Sequence, residues 1–376
     1  MKEQTMTYAG TGVNYDAMDP FKRMAQMAAL TTDRNIERFG FKVVGWTRGE
    51  SAFLVEAPWG YLGLVVEGLG TKSLVAGAMQ QLAEKMKSLT GQSFFDKVAI
   101  CNAAMAFNDL ITLGAMPLVY GQYLAVQDSD RFKDKKWSHD LIEGTTMANM
   151  SARCVWGGGE TPTLKGIIEL GTEDLAGATV GIIAPKSRLI NPANIRHGDS
   201  IVIIESSGIH ANGLTLARKI ANKLPMGYLT KIGIRTYGET LLDPTHIYVG
   251  LVEDCLNVGV NIHYAVNITG HGWRKLMRAT QPFTYVIETL PTQLPIFDFL
   301  QEHGPVDDME AYGNLNMGAG FALYLPSGHN DPETVIQIAK GLGLRAFVAG
   351  HIEDGDKKVI IKPKGLEYAG ETLAVR

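Results

Sequence analysis

The sequence predicts an α/β (α+β) protein of two domains, and three observations carry that expectation. The chain has 376 residues, enough to bury more than one core. In both halves, short apolar runs rich in strand formers alternate with segments of helical period, the pattern of packed helix and sheet layers. Between the halves, residues 185–199 (PKSRLINPANIRHGD) carry two prolines, two asparagines and a Gly-Asp, a break that predicts a boundary. The domains expected are therefore 1–185 and 186–376.

Residues 61–66 (YLGLVV) read as a buried strand because the run is short, apolar and rich in β-formers. From 73 to 89 the period becomes helical, with Leu74, Ala78, Met79, Leu82, Met86 and Leu89 on one stripe. A second helix, 102–113, is apolar almost all round and should end near Gly114, a suitable left-handed terminator. Strands are expected at 118–126 and 176–184. The second half predicts a strand at 200–205, helices at 213–222 and 245–258, and a strand at 261–268. A helix near 273–279, a strand at 319–325, a helix at 332–342 and two closing strands complete it.

Composition excludes several classes of function. A hydrophobic fraction of 45%, a charged fraction of 20% and 42 glycines describe a folded chain. The net charge of −4 gives no concentrated positive field for nucleic acid or an anionic membrane surface. The one dense charged run, 128–136 (DSDRFKDKK), mixes signs and reads as a solvated loop. The start, MKEQTM, carries no secretory pattern, and no apolar stretch reaches the roughly 20 residues a membrane helix needs. Cys101, Cys154 and Cys255 are odd in number and widely spaced, which argues against a disulfide framework or zinc site. A cytoplasmic protein is expected.

Five segments carry chemistry. In 67–72 (EGLGTK), between strand and helix, Gly68 and Gly70 let the backbone approach a phosphate, and the helix start adds N–H donors. Lys72 offers a point charge, Thr71 a cap, and Glu67 an oxygen for a magnesium ion; a well-capped turn reads equally well. Asn108 and Asp109 lie in the apolar helix, with Asn102 two turns earlier on the same face, and need a polar partner, a metal or a ligand there. In 157–161 (GGGET), three glycines before Glu160 suggest a close backbone approach, and Glu67, Asp109 and Glu160 together suit Mg²⁺. In 206–213 (SSGIHANG), small hydrogen-bonding residues before a helix suit an anionic group, while His210 and Asn212 exceed what capping needs. The turn 269–272 (TGHG) is again glycine-rich between strand and helix.

Taken in this order, the segments resemble aminoimidazole ribonucleotide synthetase, or phosphoribosylformylglycinamidine cyclo-ligase. The resemblance begins at Gly12-Val13 and Asp16 and passes through GLGTK, Asn108-Asp109-Leu110 and Gly114-Ala115-x-Pro117-Leu118. It continues through Gly158-Gly159-Glu160-Thr161 and Asp174-Leu175-Ala176-Gly177 to SSGIHANGLTLARKI and LLDPTHIYV, then TGxG and Asn316-Met317-Gly318-x-Gly320.

The resemblance implies an N-terminal domain whose sheet pairs across a homodimer into a barrel-like core, and a C-terminal mixed-sheet α/β domain that closes the cleft. It implies ATP with Mg²⁺, and ring closure of formylglycinamidine ribonucleotide through phosphorylation of its formyl amide oxygen. On these positions it places ATP at Gly68, Gly70, Thr71, Lys72, Asn108, Gly159 and Thr161, and metal at Glu67, Asp109 and Glu160. It places the ribonucleotide at Ser207, Gly208, His210 and Asn212, with Lys72, Asp109 and His210 in catalysis. The chain departs from the family pattern at Glu67, Cys101, Ala9, Asn267, His271 and the segment 313–316. Another ATP-dependent phosphoryl-transfer enzyme of the same superfamily, or an inactive nucleotide-binding homologue, is the alternative. Retention of Lys72, Asp109 and Glu160 speaks against the inactive one.

Overall fold

The computed structural model describes residues 15–86, 93–304 and 306–373. Ala9, Gly12, Val13 and Leu89, named above, lie outside these residues, as does the side chain of Asp16. The first sheet is built from β1 (Lys42–Val43), β2 (Phe53–Ala57), β3 (Gly60–Gly68), β4 (Met116–Val126), β5 (Val155–Glu160) and β6 (Glu173–Ile183). Its order is β1-β2-β3-β6-β4-β5, antiparallel except for the parallel β4–β5 pair. With it go α1 (Tyr15–Leu30), α2 (Lys72–Met86), α3 (Phe95–Leu110) and α4 (Lys135–Ser151).

The second sheet runs β10-β12-β7-β13-β11-β14-β15. These strands are β7 (Ser200–Glu205), β10 (Tyr264–Asn267), β11 (Phe283–Ile287), β12 (Ala319–Leu325), β13 (Ala346–Asp354), β14 (Lys358–Ile361) and β15 (Leu366–Ala369). It is mixed, since β11 and β14 pair in parallel while the other pairs are antiparallel. A small hairpin, β8 (Lys231–Ile232) with β9 (Arg235–Thr236), stands apart. The helices are α5 (Leu214–Lys223), α6 (Tyr237–Leu241), α7 (Val249–Asn257), α8 (Pro295–His303), α9 (Asp308–Asn314) and α10 (Asp331–Gly341). Among the described residues no helix is long and apolar enough to cross a membrane.

Several elements differ from the sequence expectation for identifiable reasons. The buried side of α2 is Val75, Ala76, Met79 and Ala83, a stripe rotated from the expected one. Only Met79 is common to both, because α2 meets α6 of the other half, where a Cβ on Gly238 would lie 2.2 Å from the Met79 sulfur. The helix expected at 102–113 starts earlier, at Phe95, and its last three residues tighten into a 3₁₀ turn. Gly114 ends it with φ 82°, as expected. The expected solvated loop 128–136 is instead a 3₁₀ turn, Ser129–Lys133, followed by the start of α4, with Asp134 capping Trp137 N–H at 3.0 Å. The helix expected at 245–258 is only α7, leaving 242–248 irregular.

The glycines of 157–159 form part of edge strand β5 rather than a turn. The close approach they predicted is to the neighbouring strand: a Cβ on Gly159 would lie 1.8 Å from the Gln122 carbonyl oxygen. Among the described residues, nothing covers the apolar face of the first sheet opposite α3, with Leu64, Val180 and Val119 in one cross-strand row and Val66 67% exposed.

Both apolar cores draw on both halves. One joins Val75, Met79 and Val98 to Ile203, Leu241 and Tyr324, and the other joins Phe107 and Ala148 to Val202, Tyr248 and Phe321. The two sheets are therefore packed as one body, which positions the polar residues between them.

Candidate functional site

Helix α3 is the axis of the site. Its polar residues fall on two faces, because residues seven apart lie two turns away on the same side. Cys101 and Asn108 share the face toward residues 243–248. Asn108 donates from Nδ2 to the His246 carbonyl at 2.8 Å and accepts the Tyr248 N–H at 2.9 Å. Cys101 Sγ accepts the Thr245 N–H at 3.2 Å. Asn102 and Asp109 share the adjacent face, toward the first sheet, where Asn102 Nδ2 donates to the Tyr120 hydroxyl at 2.9 Å and the Ala176 carbonyl at 3.1 Å.

Lys72, at the start of α2, is fully buried. Its ammonium donates to two main-chain carbonyls of the other half, His210 at 2.9 Å and Asp243 at 2.7 Å. With Asn108 and Cys101 it pins residues 243–248 at several points. The same segment accepts the Ser207 hydroxyl on the Pro244 carbonyl at 2.6 Å, and Arg235 clasps the Asp243 carboxylate at 2.6 and 2.8 Å.

The loop holding Ser207, Gly208 and His210 is itself built from within. His210 has φ 58°, is buried, and accepts the Ser207 N–H on Nε2 at 3.2 Å. Burial, with His246 and Lys72 nearby, holds its imidazole well below the usual histidine range, so it is neutral. Asn316 spans the loop base, donating to the Gly208 carbonyl at 2.9 Å and accepting from the Ser206 hydroxyl at 3.1 Å. Asn212 is half-buried beside the start of α5. Gly68 and Gly70 stay open, with no atom within 4 Å of a Cβ at either and φ 74° at Gly70, and Thr71 Oγ1 lies 3.5 Å from Thr215 Oγ1.

Glu67 lies in β3 rather than in a loop, and Asp109 is the penultimate residue of α3. The structure brings them together: both line one cleft, close enough for the Asp109 charge to act on the Glu67 carboxyl. Asn267, at the end of β10, donates to Asp109 Oδ1 at 2.7 Å. They open on a cleft of about 190 Å³ between the sheets, whose far wall carries His271, Lys275 and Arg278. Burial, then the Asp109 charge, pushes the Glu67 carboxyl up to about 7, with Lys275 and Arg278 opposing the rise. Burial and the surrounding Arg274, Lys275, Lys22 and Arg278 push His271 down to about 3, so it is a neutral ring in a positive field. Two carboxylates in a polar cleft are hard-oxygen donors of the kind Mg²⁺ takes.

Glu160 and Thr161 are not brought to this pair. Glu67, Gly177, Gln122 and Gly159 stand in one cross-strand row, three strand spacings long, about 14 Å. Glu160 and Thr161 instead line a separate cavity of about 250 Å³ beside Trp137 and Trp156. Lys72 also lies apart from the carboxylate cleft, its charge spent on carbonyls. The cations Lys275 and Arg278 were not anticipated as site residues. Their only sequence signal is a pair of cations three apart just after TGHG.

The raised Glu67 carboxyl gives a testable pH dependence. A folded-state value above the ordinary 4.5 contributes stability that is complete below that value and lost as pH rises through about 7. In metal-free protein, Glu67→Gln should therefore gain on the parent between pH 6 and 8 by about 1 kcal/mol. Denaturant melts of both proteins across that range check it; a pH-independent difference would refute the raised value. Glu173, also pushed up to about 7 by burial, is common to both and cancels.

Two family models match the chain: AIR synthase related protein, N-terminal domain, over residues 67–183, and AIR synthase related protein, C-terminal domain, over 196–362. A phosphoribosylformylglycinamidine cyclo-ligase of Methanococcus maripaludis is 34% identical over 352 residues, covering 93% of each chain. Among solved structures, T. maritima PurL complexed with FGAR superposes with a TM-score of 0.56 at 15% identity, covering 91% of this chain and 50% of that one. The hydrogenase maturation protein HypE in complex with ATP gives 0.55 at 16% identity, covering 72% and 78%. With both domain models matched and a third of its residues shared along nearly its whole length, the chain belongs to the phosphoribosylformylglycinamidine cyclo-ligase family.

Proposed function

We propose that the protein is an ATP-dependent C–N ligase that closes formylglycinamidine ribonucleotide to aminoimidazole ribonucleotide, releasing ADP and phosphate. The formyl amide oxygen is a poor leaving group. Its attack on the γ-phosphorus of ATP makes an imidate phosphate; the amidine nitrogen then adds to that carbon, and phosphate departs with the oxygen. The single observation behind this reading is the paired Glu67 and Asp109 in the cleft between the sheets, in a chain of this family.

Glu67 and Asp109 would hold Mg²⁺, which offsets charge on the transferring phosphoryl group. The open backbone at Gly68 and Gly70 would take nucleotide phosphates, and Ser207, Gly208 and Asn212 the ribonucleotide. Lys72 and Asn108 serve by holding residues 243–248 against that loop. Residues 1–185 carry the nucleotide and the dimer contact, and 186–376 complete the substrate side. Gly159 and Glu160 lie on edge strand β5 and Thr161 just past its end, outside the cleft of their own protomer, so their part in the ATP site is played from that edge. The uncovered apolar face bearing Leu64, Val66, Val119 and Val180 fits a homodimer in which two such sheets pack; sedimentation should give twice the chain mass, and a monomer would exclude that assembly. A cytoplasmic location suits this small-molecule chemistry.

The test is to supply Mg-ATP and formylglycinamidine ribonucleotide and measure both products. One ADP per aminoimidazole formed is expected. ADP formed only with another phosphate acceptor, or no turnover at all, would overturn the reading.

A further inference from the structure

The cleft is charged in an ordered way. Its acidic wall, Glu67 and Asp109, comes from the first sheet and α3; its basic wall, Lys275 and Arg278, comes from the turn after β10; Lys22 and Glu50 line it as well. Arg278 is directed elsewhere: its Nε lies 3.5 Å from the Glu50 carboxylate and its NH2 donates to the Gly49 carbonyl at 2.8 Å. Glu50 also accepts the Tyr264 hydroxyl at 2.8 Å, so this pair is a bolt between the sheets. Lys275 is different. It is buried, its ammonium donates to the neutral hydroxyl of Thr269, and it lines the same cleft as Asp109 and Glu67.

We propose that Lys275 is a positioning residue that serves as the resident counter-ion of the Glu67–Asp109 pair, so that a divalent cation enters with the nucleotide rather than ahead of it. The inference rests on the metal role proposed for that pair. A bare divalent ion approaching Glu67 and Asp109 meets a fixed positive charge across a cleft of about 190 Å³, where like charges repel. A metal–nucleotide complex brings its own anionic oxygens, and these give Lys275 a partner in place of the carboxylates.

The test is direct binding of Mn²⁺, followed by the electron paramagnetic resonance of the free ion, with and without a non-hydrolysable ATP analogue. Lys275→Met should bind Mn²⁺ alone at least tenfold more tightly than the parent, and the Mn²⁺–analogue complex about tenfold more weakly. Lys275→Arg, which keeps the charge, should stay near the parent in both. An unchanged affinity for Mn²⁺ alone in Lys275→Met would overturn the proposal, as would equal changes in the Met and Arg variants. Should Lys275→Met melt early, Lys275→Gln removes the same charge. If Glu67→Gln and Asp109→Asn leave binding of the Mn²⁺–analogue complex unaltered, it is the metal assignment that fails, and that outcome is separate.

Discussion

Asp109→Asn should lower ATP turnover about a thousandfold while leaving the fold at least as stable as before. The two halves of that expectation have different causes. Asparagine keeps an Oδ1 for the Asn267 amide, which donates to Asp109 at 2.7 Å, so the contact between α3 and β10 survives. Removing the Asp109 charge also relieves one of the forces holding the Glu67 carboxyl high, so the folded state gains rather than loses at neutral pH. What disappears is one of two anionic oxygens facing the cleft, and with it half of the donor pair for a hard cation. Steady-state turnover together with a thermal melt checks both. Turnover within tenfold of the parent would remove Asp109 from the chemistry.

Lys72→Met should act in the opposite sense, on the fold first. Its ammonium satisfies the carbonyls of His210 and Asp243 in a site closed to solvent. Methionine fills the volume but leaves the His210 carbonyl without a donor and the Asp243 carbonyl with only the long Cys101 thiol contact at 3.8 Å, at about 1–3 kcal/mol for an unsatisfied group. The loss should appear as a lower melting temperature without any nucleotide present, and as faster hydrogen exchange across residues 243–248. Because Ser207 bonds the Pro244 carbonyl in that segment, turnover should fall with it. A variant that melts like the parent yet binds ATP poorly would show that Lys72 meets phosphate rather than carbonyls.

Much of this arrangement was legible in the sequence. The strand at 61–66, the long apolar helix and Gly114 at its end follow from local pattern alone, and the structure has all three, although the strand expected to be buried is covered on one face only, with Leu64 and Val66 exposed. The expectation that polar residues in an apolar helix need partners also held, for Asn102, Asn108 and Asp109 alike. What local pattern did not reveal were the identities of those partners. Lys72 meets residues 138 and 171 positions away, and Asn267 lies 158 positions from Asp109, separations that periodicity does not encode. The rotated stripe on α2 has the same origin, since a helix packed on two sides hides its phase. The edge strand at 157–159 was obscured because three glycines carry no strand signal, and Lys275 because adjacent cations in a 3₁₀ turn look like surface.

The sharing of both cores between the halves has a consequence for how the chain is made. The first half leaves the ribosome with the α2 face bearing Val75 and Met79 uncovered, because the elements that cover it, α6 among them, come later. At ordinary synthesis rates that face waits roughly 10–40 s for the rest of the polypeptide. A nascent chain held in that state is a natural client for chaperones, and a gene split at the boundary between the sheets should yield two sticky fragments instead of two working domains.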